Sequence, residues 1–289
     1  MTWLAVAKKD FRDAVQSRAL WALVAVFVLL SMLSTYAFVE VPEMFGEPGG
    51  ATFDGLILFT VGLTGLFVPL AAIVVCYKSL AGERELGSIK LLLSLPTNRR
   101  DVFVGKVLGR AAVIIVGLGV GLLVGVGFGA LLLDGIDIIS ALIFVLVTLV
   151  FAGIYAEIMV SISATTGSTS RATTLALGFF VVFELFWDVV PMAVLYVVEG
   201  FRLPTQMPDW VFPVMQLSPS TAYFSSVTAL LPGLTDTPGN VGGTSAGVEV
   251  SVTDADPFYL SPEIGLIVLL VWLIIPLVVG YWRFESSDL

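Results

Sequence analysis

Six runs of about twenty apolar residues each divide this chain, and no other feature limits the fold so tightly. They fall at Leu20–Val39, Leu56–Cys76, Ala111–Leu133, Ile138–Ile162, Thr173–Val198 and Ile264–Trp282. At about 1.5 Å per residue, a helical run of that length crosses a hydrocarbon layer of roughly 30 Å. The strict alternation that marks a half-buried strand is absent. Backbone amides in lipid must find partners within their own segment, so the runs are expected to be helices. Composition agrees: 57% of the 289 residues are hydrophobic and 13% charged, against about 25% charged in soluble domains. The expectation is an all-α integral membrane protein, one six-helix bundle over residues 1–289 with no separate soluble domain. Leu20–Val39 is too long for the apolar core of a signal peptide, and no small-residue cleavage site follows it.

Charge gives an expected orientation. Lys8, Lys9, Arg12 and Arg18 precede the first run, and Lys78, Arg84, Lys90, Arg99, Arg100, Lys106 and Arg110 lie between the second and third. Six crossings put Arg171 and Arg283 on the same side, and of the 14 Lys+Arg residues only Arg202 falls opposite. Basic residues stay on the cytoplasmic face. Both termini and segment 83–106 are therefore expected there, in a multi-pass cell-membrane protein. The hairpin Asp134-Gly135-Ile136-Asp137 and the segment 200–262 are expected outside. The net charge of −9 then resides in the outer loops. Acid-rich, lysine-poor loops are a halophile-like composition, suited to high salt where screening weakens self-repulsion.

Two segments outside the spans carry helical patterns. In 2–19, Leu4, Ala7, Phe11, Ala14 and Val15 recur at helical spacing, while Lys8, Lys9, Arg12, Asp13 and Gln16 fall mainly elsewhere. This predicts an amphipathic helix in the inner interface with Trp3 as its anchor, the alternative being a plain charged tail. The second segment is the charged island ERELGSIKLLLSLPTNRRDVFVGKVLGR, Glu83 to Arg110. Leu86, Ile89 and Leu93 share one helical face, with Glu83, Arg84, Ser88 and Lys90 largely off it. Pro96 ends that helix, because proline lacks a donor and clashes with the preceding turn. Asn98, with Asp101 three residues on, is expected to cap the next helix, which carries Lys106 and Arg110 on one side into the third span. A short helix would then lie across the inner end of a long one, and force on the first would tilt the second. A simple headgroup anchor is the alternative, but it requires neither Glu83 and Glu85 nor a helix–Pro–helix corner.

Here the residues resemble a known family. Glu83-Arg84-Glu85-Leu86-Gly87, then Leu91-Leu92-Leu93-Ser94-Leu95-Pro96, Arg99-Arg100 and Gly105-Lys106 are similar to the segment between the second and third spans of type-2 ABC exporter permeases. The branch most resembled is that of multicopper-enzyme-maturation permeases, which includes the permease for nitrous oxide reductase assembly. Pro219-Ser220-Thr221-Ala222-Tyr223 resembles a family segment before the last span. The resemblance implies a permease subunit that pairs with a second copy, identical or not, and binds two cytoplasmic ABC ATPases. Glu83, Arg84, Glu85, Leu86, Gly87, Ile89, Leu93, Pro96, Arg99, Arg100 and Lys106 would form the ATPase-coupling element. ATP would act only through the partner subunit. The Gly/Ser/Thr/Asp-rich stretch Thr235–Asp256 departs from compact members of the family.

Enzyme chemistry is not expected. A phosphate-cradling loop needs Gly-x-x-x-x-Gly-Lys-Ser/Thr, and the sole Gly-Lys pair, Gly105-Lys106, is followed by Val107. Without histidine the usual serine and cysteine arrangements are unavailable. Cys76 is alone and Met207 and Met215 stand apart, so no soft-ligand cluster for Cu(I) is expected. No cofactor, metal or nucleic acid is expected to bind directly.

Glu184 and Asp188 lie one helical turn apart in the fifth run, amid Phe179, Phe180, Phe183, Phe186 and Trp187. An acid at mid-span costs about 2.5–3.5 kcal/mol on an insertion scale. The pair either lines a pathway or fixes packing. Glu157, near the inner end of the fourth run, is expected to pair with Arg171 or Arg110. Gly117, Gly121, Gly125 and Gly129 repeat every four residues and form a stripe that another helix can approach closely, within the subunit or at a dimer seam. Two rival functions remain open. One is a non-transporting subunit that passes ATPase motion to an extracytoplasmic partner through 200–262. The other is an ion-coupled secondary transporter using Glu184 and Asp188.

Overall fold

In the computed structural model the described residues are 3–44, 51–89, 98–133, 135–198, 200–202, 208, 210–231, 233–234 and 261–287. All regular structure among them is helical. Helix α1 (Trp3–Gln16) buries Val6, Ala7 and Asp10 and exposes Trp3, Lys8, Lys9 and Arg12; of the expected apolar face only Ala7 is buried, and Leu4 is exposed. Ser17 closes it: amide and hydroxyl both donate to the Ala14 carbonyl (3.0 and 2.7 Å). Helix α2 (Arg18–Met44) starts at the next residue. α3 (Phe53–Cys76) begins where the Thr52 side chain accepts the Gly55 amide. A tight turn leads to the short α4 (Ala81–Glu85).

α5 (Arg99–Leu132) is the longest helix described, at 34 residues. Its first three turns hold the end of the charged island and its remainder is the third apolar run. Asn98 occupies the capping position, but its side chain caps nothing, contrary to expectation. A different arrangement holds this end: Arg99 Nη1 donates to the carbonyls of Phe284, Glu285 and Ser287 (3.3, 2.6 and 2.9 Å), closing the C-terminus of the last helix. α6 (Ile138–Ala164) starts at Asp137, whose carboxylate accepts the Ile139 amide and the Ser140 hydroxyl (3.0 and 2.6 Å).

Among the described residues, five helices are long and apolar enough to cross a membrane: Leu20–Val41, Phe53–Glu85, Arg99–Leu132, Ile138–Ala164 and Ile264–Glu285. The fifth apolar run is not one straight helix. α7 (Thr169–Phe180) widens into a π-helical turn at Val181–Leu185, where Phe186 N–H reaches back five residues to Val181 O. After a break, α8 (Val189–Val198) leaves at 59°. The two pieces make a sixth span only when taken together. Aromatic packing and a long-range bond hold the bend. Phe183 stacks on Trp187 at 4.9 Å, and Trp187 Nε1 donates to Val214 O at 2.7 Å.

A second departure lies in 200–262, expected as a loop with interfacial helices. Thr235–Asp256 is outside the described residues. The preceding stretch forms α9 (Val211–Met215) and α10 (Pro219–Leu230), and α10 enters the core. Tyr223 is fully buried, stacked on Phe151 at 4.2 Å, with its hydroxyl 3.1 Å from Thr64 Oγ1 and 2.7 Å from Thr148 Oγ1. Ser220 Oγ donates to Gly65 O (3.0 Å). Gly65 is twelve residues into the 24-residue α3, about 18 Å along it, so the first turn of α10 reaches half-way along that helix. The last helix, α11 (Ile264–Glu285), crosses α10 where Gly265 lies: a Cβ there would stand 2.6 Å from Ala222 O.

The glycine stripe of α5 faces the chain's own first two helices. A Cβ on Gly121 would sit 2.7 Å from Phe27 Cβ, and one on Gly125 2.7 Å from Ser31 Cβ. Gly117 meets Leu23, and Gly129 meets Leu56 and Thr35. Gly105 and Gly109 continue the seam against Val6 and Asp10 of α1. α1, α2 and α5 thus pack backbone-close along most of the length of α5.

Candidate functional site

The seam between α1 and α5 ends in a charged cluster. Lys106 lies on α5 one turn before Arg110, with its ammonium between two acids from different elements. Asp10 Oδ1 of α1 is 2.8 Å away and Glu83 Oε1 of α4 is 2.6 Å away. Arg110 Nε sits 2.9 Å from Asp10 Oδ2, and its Nη1 donates to Val75 O at 3.1 Å. The Lys106 and Asp10 side chains are 8% and 6% exposed, Glu83 25% and Arg110 27%. Charges so poor in water persist only when paired. Two acids and two bases balance here, and the cluster joins α1, α4, α5 and the end of α3.

The rest of α4 is tied to the opposite side of the bundle. Ser163 Oγ, at the end of α6, accepts the Leu80 and Ala81 amides (3.2 and 3.1 Å) and donates to Tyr77 O (2.8 Å). This supplies partners for amides that a helix start leaves open. Arg84 Nη1 donates to Ala164 O (3.1 Å), and Glu85 Oε2 accepts the Thr169 amide at the start of α7 (2.8 Å). Three consecutive side chains, Glu83, Arg84 and Glu85, therefore contact α5, the end of α6 and the start of α7.

One part of the sequence reading needs correcting. The expected continuous helix through Leu86, Ile89 and Leu93 breaks at Gly87, which has φ +70°, a backbone conformation that favours glycine. Leu86 consequently points out, 84% exposed, while Ile89 is 1% exposed in the core. They do not share a face. Leu93 and Pro96 lie outside the described residues. Arg100 is exposed, and Arg99 holds the end of α11.

The two acids of the fifth run lie in different local structures. Glu184 sits in the π-helical turn and its carboxyl is hydrogen-bonded with Ser220 Oγ, which joins the bend of the fifth run to the first turn of α10. Asp188 lies in the break before α8 and is half-buried. Glu157 does not pair with Arg171 or Arg110: it is 1% exposed, and its Oε1 accepts Ser161 Oγ at 2.9 Å. Arg110 is engaged by Asp10 instead.

The ABC-2 family transporter model matches residues 4–289, essentially the whole chain. The chain belongs to the ABC-2 family of transporter proteins. As an ABC-2 member it is a permease subunit of an ABC transporter, and the resemblance carried by the island residues holds. It is 26% identical over 229 residues to the probable ABC transporter permease protein NosY of Stutzerimonas stutzeri, covering 75% of this chain and 78% of that protein. It is 25% identical over 226 residues to the protein of the same name from Pseudomonas aeruginosa, with the same shares covered.

Sequence reasoning passed over Asp10 in this ABC-2 chain, although a signal existed. Asp10 falls three and four positions after Ala7 and Val6, on the face of α1 that is otherwise apolar. An acid on such a stripe calls for a buried base, and Lys106 and Arg110 are spaced one turn apart to supply it. Ser163 left no comparable trace, and Ser220 and Tyr223, noted only for their family-like segment, gave no sign of their contacts, because the partners are 36 to 159 residues away.

Proposed function

We propose that this permease subunit receives the stroke of separate cytoplasmic ABC ATPases through Glu83–Pro96, with ATP bound and hydrolysed only on those partners. Two copies, or this copy and a related one, form the pathway. Each crosses the bilayer six times, with both termini and α4 in the cytoplasm. The observation that carries this reading is Lys106 gripping Asp10 of α1 and Glu83 of α4 together. Through that ammonium, a push on α4 reaches both the interfacial helix and the foot of α5. Through Arg84 and Glu85 it also reaches α6 and α7. The bend at Val181–Leu185 then hands movement to α10 by way of Glu184 and Ser220.

The test uses the permease reconstituted with its ATPase in liposomes. Reversing Glu83 and Glu85 to lysine, or placing proline at Ile89, should leave membrane insertion intact. ATP hydrolysis should no longer respond to the permease. An unchanged response in these variants refutes the role of the segment. Leu86→Cys, at an 84% exposed position, should react with an impermeant thiol reagent only from the cytoplasmic side; labelling from outside overturns the orientation.

A further inference from the structure

Between α2 and α3, on the side of the charged cluster, lies a cleft of about 760 Å³. This falls within the roughly 300–1,000 Å³ of ligand pockets. Leu20, Leu23 and Phe27 form one wall and Phe67, Leu70 and Val74 the other. Its floor is the cluster itself: Asp10, Glu83, Lys106 and Arg110, with Asp13 and Ser17 at the edge. From Ser17 to Phe27, and from Val75 back to Phe67, the walls run for about 12–15 Å. That is half of a hydrocarbon layer of roughly 30 Å. Val26 and Val74, at 54% and 71% exposure, leave the flank open to the surroundings.

We propose that this cleft binds one diacyl phospholipid from the leaflet on the charged side. Three properties of the cleft match that molecule. It is polar at the interface end and apolar beyond. It stops at mid-layer, where an acyl chain of one leaflet stops. A helix of a second copy would have no reason to end there or to meet ionised groups at one end only. Arg110 supplies the headgroup contact. Its Nη1 and Nη2 each direct one hydrogen to Val75 O and Asp10 Oδ1, which leaves each a second hydrogen for a phosphate oxygen. Asp13, exposed at the rim, faces the cationic part of a zwitterionic headgroup. The lipid sits against the residues that join α4 to α5, so its occupancy responds to any movement there.

The test is native mass spectrometry of the detergent-purified full chain, stripped of lipid and then incubated with dioleoyl phosphatidylcholine. The wild type should retain one phospholipid per chain. Ala71→Trp and Ala22→Trp, which fill the cleft from opposite walls, should lower occupancy at least tenfold, while Val150→Trp on the exposed face of α6 should not. No retained lipid on the wild type, or equal retention by the cleft variants, overturns the proposal. The unaltered chain provides a second measurement in liposomes containing phosphatidylcholine with a photoreactive group in the acyl chain. Saturable labelling concentrated on 20–27 and 67–75 supports the site, and uniform labelling of all lipid-facing helices refutes it. A Val74→Cys disulfide between two copies would show that protein covers the cleft and would also overturn it.

Discussion

Asp10→Asn and Glu83→Gln should separate the stability of the charged cluster from its use. Asp10 is 6% exposed and neutralises parts of both Lys106 and Arg110. Its loss leaves a buried ammonium with one partner and a guanidinium with none of its carboxylate contacts to Asp10. Breaking a buried pair from one side costs about 3–5 kcal/mol. Glu83 is 25% exposed, and Lys106 keeps Asp10 when it goes. That change should cost on the order of 1 kcal/mol. Thermal unfolding in detergent should rank Asp10→Asn well below Glu83→Gln. Permease-dependent ATP hydrolysis should reverse the emphasis, with Glu83→Gln folded but unresponsive to the partner. The double variant should show a coupling of about 0.5–3 kcal/mol, because both acids share Lys106. Equal destabilisation by the two single changes, or strict additivity of the pair, would refute the bridging role of Lys106.

Gly121→Ala should destabilise by about 1–3 kcal/mol, since its Cβ meets the Cβ and backbone of Phe27 below 3 Å. Gly62→Ala, with open space, should not; melting temperatures in one detergent compare them. Tyr223→Phe removes the hydroxyl shared with Thr64 and Thr148 and should cost about 1–2 kcal/mol, seen as faster hydrogen exchange in Pro219–Leu230. Arg99→Gln should release the last turn of α11, with faster exchange confined to about residues 282–287. The Ser140 hydroxyl and Ile139 amide hold the Asp137 carboxyl below its usual pKa. Its contribution is therefore present above the unfolded value, about 3.9, and is lost as pH falls through the lower folded value. Asp137→Asn, which still caps, should flatten that acid limb of the melting-temperature profile and change little at pH 7.

Lipid made the long apolar runs legible, because a helix is the one structure a lone segment can adopt in hydrocarbon. The island was legible in its residues but not in its shape. Leu86 and Ile89 fit a helical period, yet Gly87 turns the chain between them. A lone glycine inside a helical pattern is tolerated often enough that period prevailed over it. The bend after Phe180 had no breaker within it, since Pro191 lies beyond the break; Trp187 and Val214 hold it across 27 residues. α10 is twelve residues long and rich in Ser and Thr, too short and polar to read as a membrane element. Its place comes from Thr64 and Thr148, which offer hydroxyls to Tyr223 in an otherwise apolar layer.

An ammonium clasped by two carboxylates on separate helices behaves like a swivel joint. When Glu83 withdraws, Asp10 still neutralises the lysine and keeps its hold on Arg110, so that movement strands no base in a medium that punishes it. The reverse movement, with Asp10 leaving, would unpair Arg110 as well. The joint is therefore built to open on the side of α4 and to stay closed on the side of α1.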